Sequence, residues 1–331
     1  MTLVDRVDGF QRRHPVLGFP LGVVYKFLDD QGAYLAALIT YYGLLSIFPL
    51  LLLMTSILGF LVQDNAVLRE SLINGVLAQV PVIGEELQSP SGLQGNLVAV
   101  IVGSLTAAYG GLGVAQALQH AMNTVWAVPR HRRPNPILAR AKSAGILAFL
   151  GISLIAAGVI PRVFDWLAGW PWTVLNTVLA VLIFWVVLHV STHRSHGWLS
   201  LLPGAIIVGI VWQLLETLGA AVVTSIIARS SGSYGVFAVV LGLIVWIYLL
   251  AVTVVMAAEL NVVRARHLYP RALLTPFTDD VDLTRADHEA YSHLVEMNRL
   301  KGYQHVSVTF DKNEDGVPDE PWEDRQEQPP A

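Results

Sequence analysis

The sequence contains no cysteine. That excludes disulfides, thiolate metal sites and cysteine nucleophiles, and leaves the redox compartment unmarked. Charge is scarce too: Asp, Glu, Lys and Arg make up 14% of the 331 residues, against about a quarter in soluble globular chains. No G-x-x-x-x-G-K-[ST] loop is present, so ATP-driven pumping is not encoded in this chain. No His-x-His-x-Asp-His or similar cluster is present either, which argues against a metal nuclease. The first 33 residues carry charges throughout and lack a compact apolar core before a cleavage site. The first membrane span is therefore expected to stay as an anchor.

Apolar residues are abundant, at 54%, and they come in long runs. A hydrocarbon core about 30 Å thick needs roughly 20 apolar residues of helix. Six runs meet or approach this: 34–62, 97–119, 143–160, 172–192, 201–223 and 236–260. Pro49 inside the first removes one backbone hydrogen bond and marks a place to bend. The expected fold is all-α: a polytopic membrane protein with six transmembrane helices. Residues 1–33 form a cytoplasmic or interfacial segment, 34–270 the transmembrane domain, and 271–331 a polar to acidic cytoplasmic tail. Of the 21 lysines and arginines, all but Arg69, Arg162 and Arg229 fall on one side of this arrangement. The excess of basic residues places that side, with both termini, in the cytoplasm, and the membrane is read as the cytoplasmic (inner) one. Trp126, Trp166, Trp170, Trp172 and Trp198 fall near span ends, where an interfacial aromatic belt belongs. Loop 63–96 faces outward, and its stretch 66–79 has the pattern of a short interfacial helix.

The cluster "PRHRRP" (129–134) follows a span directly, so positive-inside charge and anionic lipid headgroups explain it better than nucleic acid. Beyond residue 272 the chain turns polar, with one helix expected from Leu283 to Arg299. Asp311, Asn313, Asp315 and Gly316 match the first half of a calcium loop, but Trp322 stands where a bidentate Glu belongs. A solvated acidic tail is the expectation, with no metal and no cofactor. His189, His193 and His196 cluster at a span end without a nearby carboxylate, and read as interfacial histidines.

Polar residues inside the spans are the candidate functional groups. Glu216 sits about 20 Å along the fifth span from its entry at Pro203. A carboxylate at a span centre costs roughly 3 kcal/mol, which favours a face turned away from lipid. Gly209, Gln213, Glu216 and Ala220 recur on one helix face. In span two, Tyr109, Gly113, Gln116, His120 and Asn123 form a second polar stripe, and span one offers Tyr42, Ser46 and Pro49. Span six ends with Glu259 and Asn261, where the helix dipole disfavours the carboxylate, so Arg266 or a basic group of another loop is expected to compensate. These faces either line a polar pathway in which Glu216 binds a cation, proton or headgroup, or they hold helices together.

Three stretches carry a family resemblance: "AALITYYGLLSIFPLLLLMTSILGFL" (36–61), "ALQHAMNTVWAVPR" (117–130) and "SGSYGVFAVVLGLIVWIYLLAVTVVMAAELN" (231–261). Through Tyr41, Tyr42, Ser46, Pro49, Asn123, Trp126, Tyr234, Gly235, Trp246, Tyr248, Glu259 and Asn261 the chain resembles the YihY/BrkB family of bacterial inner-membrane proteins over about residues 20–270. Ala257 stands where the family usually has Gly. The resemblance implies six spans in the cytoplasmic membrane and no well-established biochemical activity. Members have been linked to serum resistance and to moving envelope lipids, and some carry an old ribonuclease BN label. The expectation is a non-enzymatic transporter or flippase-like protein for an envelope-related solute or lipid, built on spans one, two, five and six. Its partners would be membrane lipids and an unidentified solute or lipid substrate, with no nucleic acid; self-association stays open. A membrane scaffold is the non-transport alternative, a ribonuclease the enzymatic one. Inverted internal repeats, which mark many transporters, are not evident.

Overall fold

A computed structural model of the chain describes residues 3–62, 97–163, 169–193, 197–229, 233–278 and 281–311. The expected interfacial helix 66–79, Trp166, His196 and the calcium-like stretch beyond Asp311 lie outside these residues. Every regular element among the described residues is a helix: α1 (Leu3–Arg13), α2 (Pro15–Asp29), α3 (Gly32–Val62), α4 (Leu97–Val125), α5 (Pro136–Val163), α6 (Trp170–Ser191), α7 (Leu202–Arg229), α8 (Ser233–Arg266) and α9 (Arg285–Met297). Short 3-10 turns cover Arg130–Arg132 and Trp198–Leu201. The all-α membrane architecture is thus present.

Five helices, α4 to α8, are long and apolar enough to cross a membrane. The 31-residue α3 carries no charged residue, includes the apolar stretch Gly32–Ile47, and runs through Pro49 without a break. Apolar residues surround these helices instead of forming one stripe, the pattern of segments whose outer faces also meet an apolar medium. Leu105, Ile152, Val174, Leu214, Leu218 and Val245 all point outward.

The helix ends follow local chemistry. α5 starts at Pro136, two turns before the expected 143, because Asn135 Oδ1 accepts from Leu138 N (2.8 Å) and proline suits the first helical position. α4 continues past 119 to Val125 and closes in a Schellman motif. There Val128 N donates to Asn123 O and Ala127 N to Thr124 O, both at 2.8 Å, with Ala127 at φ 47°. α8 closes in a related way, Leu268 N donating to Val263 O (3.1 Å) with His267 at φ 54°.

Small residues set the closest helix crossings, as expected where van der Waals packing drives association in lipid. Gly110 of α4 lies so near Ser46 of α3 that an added Cβ would sit 2.7 Å from the Ser46 Cα. Gly113 meets the Tyr42 ring, Gly209 of α7 meets Val181 of α6, and Gly204 of α7 meets Ala257 and Asn261 of α8.

The N-terminal helices and the start of the tail form one cap. Leu273 N donates to Asp8 (2.8 Å), Gln11 Nε2 to Arg271 O (2.6 Å), and Arg12 Nη2 to Asp282 O (3.0 Å). The start of the expected polar tail is thus bonded to α1 and α2, while Arg299 O accepts from His131 N (3.2 Å). The helix expected over 283–299 is α9, with Thr284 and Asp287 forming a capping box. Trp126, assigned to an aromatic belt, is instead 2% exposed inside the core. Trp170 and Trp198 are exposed.

Candidate functional site

Glu216 lies between α7 and α6. Asn176 Nδ2 donates to Glu216 Oε2 (3.1 Å) and to Gln213 Oε1 (3.2 Å), and Thr177 Oγ1 reaches the same Gln213 oxygen at 3.3 Å. The periodic face Gly209–Gln213–Glu216 is real, but its partner is span four, not spans one, two or six. Burial of the pair is incomplete: Glu216 and Thr217 are exposed, while Gln213, Asn176 and Thr177 are half-buried. The result is a short polar stripe on the outer surface of an otherwise apolar helix pair. Asn176 and Thr177 went unremarked in the sequence; two adjacent amide and hydroxyl side chains within a 22-residue apolar helix were the available signal. Ala220 lies in a part of α7 whose side chains are outside the described set.

The span-two stripe does not gather. Tyr109 is 68% exposed, and Gln116 and His120 are exposed as well. Asn123 is buried at the far end of α4. Gly113 serves the α3–α4 crossing, where Tyr42 packs on it and Ser46 packs on Gly110. Ser46 also borders an apolar cleft of about 270 Å³ among α3, α4, α5 and α8, lined by Val114, Leu118, Ile146, Leu150 and Ile247. Ser46 Oγ bonds its own helix, to Gly43 O (2.8 Å), so it offers the cleft no free donor. Pro49 lies inside α3, one turn beyond Ser46. Tyr42, Ser46, Gly113 and Gly110 are therefore packing residues in this arrangement.

Glu259 is the deepest ionisable group on α8, with no solvent exposure. Its compensating charge is Lys26 of α2, whose Nζ is 3.7 Å from Glu259 Oε2. The same ammonium bonds Asp30 and donates to Val125 O of α4 (3.4 Å). Arg266, the expected partner, turns instead to Trp126 O. Gln31 at φ 54° and Gly32, pressed on the Phe27 ring, form the tight α2–α3 turn that aims Asp30 inward. Burial holds the Asp30 carboxyl above its ordinary range despite the ammonium beside it. Lys26 is held above its usual value because the carboxylates Glu259 and Asp30 outweigh its burial. Sequence inspection counted Lys26 only as one more positive-inside charge. The i, i+4 spacing of Lys26 and Asp30 was its visible signal.

Asn261 is also fully buried. Its Oδ1 accepts from Gly204 N (3.0 Å) and its Nδ2 donates to Leu201 O (3.2 Å), so it ties the first turn of α7 to α8. Its Oδ1 thus satisfies a backbone N–H that a helix start leaves unpaired. Beside the Lys26 cluster, Arg271 is buried between Asp29 (2.9 Å) and Asp287. Those two carboxylates hold the guanidinium above its ordinary value against the effect of burial.

Among the described residues no group of three His, Asp or Glu side chains is placed to hold a metal ion. His189 stacks on Trp198 with centroids 4.1 Å apart. Burial and the nearby Lys142 keep His193 below the usual imidazole value.

The family model described as Virulence factor BrkB matches residues 23–278. The chain belongs to the BrkB family. The resemblance seen in the three stretches above is borne out, and it covers Lys26, Asp30, Glu216, Glu259 and Arg271 but ends before α9. A UPF0761 membrane protein of Vibrio vulnificus (strain YJ016) is 27% identical over 274 residues, covering 78% of this chain and 85% of that protein. A UPF0761 membrane protein of Aromatoleum aromaticum is 28% identical over 236 residues, covering 67% of this chain and 53% of that protein. The inner membrane protein YhjD of Escherichia coli (strain K12) is 20% identical over 273 residues, covering 72% and 79% respectively. No solved structure matches the chain. This BrkB-family protein is an integral membrane protein.

Proposed function

We propose that this BrkB-family protein moves an amphipathic, envelope-related solute or lipid along the α6–α7 surface, without catalysing a covalent step. The observation that carries this reading is the polar stripe of exposed Glu216 and half-buried Asn176, Thr177 and Gln213, on helices that otherwise present apolar side chains outward. Glue between two helices needs no exposure. A polar headgroup crossing an apolar layer needs hydrogen-bonding groups at its surface, since unsatisfied polar groups there cost several kcal/mol. In this proposal α3 to α8 make six spans of the cytoplasmic membrane, with both termini inside, as the distribution of basic residues supports. Membrane lipids are then its immediate partners, and neither nucleic acid nor a cofactor takes part.

The test uses the absence of cysteine. Single cysteines at Asn176, Gln213 and Glu216, with Ile207 and Leu218 as outward apolar controls, are probed with a small membrane-impermeant thiol reagent in intact cells. Labelling of the first set and not the controls means water and headgroups reach the stripe. Failure of the whole first set to react, with normal protein levels, removes the support for transport.

A scaffold is the second reading, and the folded cap favours it. Phe277, Leu300 and Tyr303 are exposed on the segment that α9 organises, a surface suited to a partner protein. Removing residues 312–331 tests the role of the acidic end cleanly. A longer deletion from 275 would strip Asp287 from buried Arg271 and so confuse loss of a partner with loss of the cap.

A further inference from the structure

The cluster at the α2–α3 turn is chemically separate from the α6–α7 stripe. Lys26, Asp30 and Glu259 are each 4% exposed or less. One ammonium faces two carboxyl groups. Fully ionised, the cluster would hold an uncompensated negative charge in the interior, which is strongly unfavourable. Among the described residues no Lys or Arg other than Lys26 lies within ion-pair distance of Asp30 or Glu259. Asp29 adds another negative charge, and Arg271 is already shared between Asp29 and Asp287. α3 carries no charged residue, and the α4 backbone contributes only the Val125 carbonyl. His120 of α4 faces outward, Glu216 of α7 lies about three turns beyond the Gly204–Asn261 contact, and Arg266 of α8 is bonded to Trp126 O.

Hydrogen-bond accounting reaches the same point independently. Both oxygens of Glu259 and the Oδ1 of Asp30 are buried and accept no hydrogen bond. Yet the two carboxyls meet at the same ammonium, Lys26 Nζ. Ionised carboxylates only accept, so two of them gathered there lack a donor for the remaining oxygens. A single proton supplies that donor, cancels the excess charge and needs no volume. A calcium-like cation would need about six to eight oxygen ligands, and an ammonium already occupies one side of this sealed pair.

We propose that Asp30 and Glu259 share one exchangeable proton beside Lys26, which makes the cluster a proton-binding site joining α2 to α8. Binding the proton leaves one ammonium against one net negative charge and holds the α2–α3 turn on α8. Losing it places two negative charges in a dry site and favours entry of water or separation of the turn from α8. The site is independent of substrate movement along α6–α7 and stands or falls without it.

The experiment is infrared difference spectroscopy on the full chain in lipid nanodiscs. It is run in an E216Q background, so that the stripe carboxyl adds no signal. The expected result at neutral pH is a protonated-carboxyl carbonyl band, slow to shift in heavy water, that fades as pH rises. The band is absent from E216Q/E259Q and from E216Q/D30N, because either neutral substitution leaves Lys26 with a single carboxylate. A band missing at every pH, or one that persists in both double variants, overturns the proposal. A band displaced by sodium at constant pH also overturns it, by showing that a metal ion takes the site. If the double variants fail to accumulate, the parent titration decides. A band that fades together with thermal stability on raising pH supports the proton, and a band that ignores pH overturns an exchangeable one.

Discussion

Replacing Asp287 with alanine should release the cap formed by α1, α2 and the start of the tail while leaving the membrane helices in place. Asp287 has no solvent exposure and serves four donors: Arg271, Ala272 N (2.9 Å), Thr284 N (2.9 Å) and Thr284 Oγ1 (2.8 Å). Removing it does two things. It takes away the capping box of α9, worth about 1 kcal/mol. It also leaves Arg271 buried with Asp29 alone. Breaking a buried pair costs about 3–5 kcal/mol when the remaining charge has no other partner, and the low end applies because Asp29 remains. The combined loss is about 4 kcal/mol, close to a thousandfold in a local opening equilibrium. Hydrogen exchange by mass spectrometry on the detergent-solubilised chain reads this directly. Amides of α9 and of residues 271–278 should exchange up to about a thousandfold faster, while those of α6 and α7 should not change. R271M is the control. It leaves Asp287 its three other donors, so its effect on α9 should be clearly smaller. Equal effects of the two substitutions, or equal acceleration in α6 and α7, would refute the view of Asp287 as the local knot.

Other consequences are as direct. Asp30 is held above its ordinary value by burial, so the folded state binds protons more tightly than the unfolded one. Stability tied to Asp30 is then complete below the ordinary carboxylate range and falls as pH rises through the raised value. Thermal unfolding of the parent should show this decline, and D30N should flatten it; a parent stability that climbs over that window contradicts the sign. G110L places side-chain atoms against the Ser46 backbone, which cannot swing away as a side-chain tip would. It should cost about 1–3 kcal/mol or more in unfolding assays, whereas Gly145, with open space beside it, should accept alanine with little change. N261A leaves Gly204 N buried without its acceptor, a loss of about 1–3 kcal/mol. Faster hydrogen exchange at the first turn of α7 is the measurement, and unchanged exchange there would show the bonds to be dispensable.

The sequence alone determined the fold class and the places of the long apolar helices. A chain with 14% charge and six apolar runs has few ways to satisfy its backbone other than helices in a membrane, and the helices fall where the runs predicted. It also determined the periodic face of Glu216, because a helix period is local, and the need for a charge to compensate Glu259, because a carboxylate near a helix C-terminus opposes the dipole. Tertiary structure alone decided the partners. Periodicity says which residues share a face, but not which helix meets that face. Glu216 therefore found Asn176 on α6, not a stripe on α4. Lys26 and Glu259 are separated by more than 200 residues of chain, and so are Arg271 and Asp29. Each of these charges reads alone as a surface or positive-inside residue. Only the packing of α2 on α8, and of the cap on α2, turns them into buried clusters whose charges must balance.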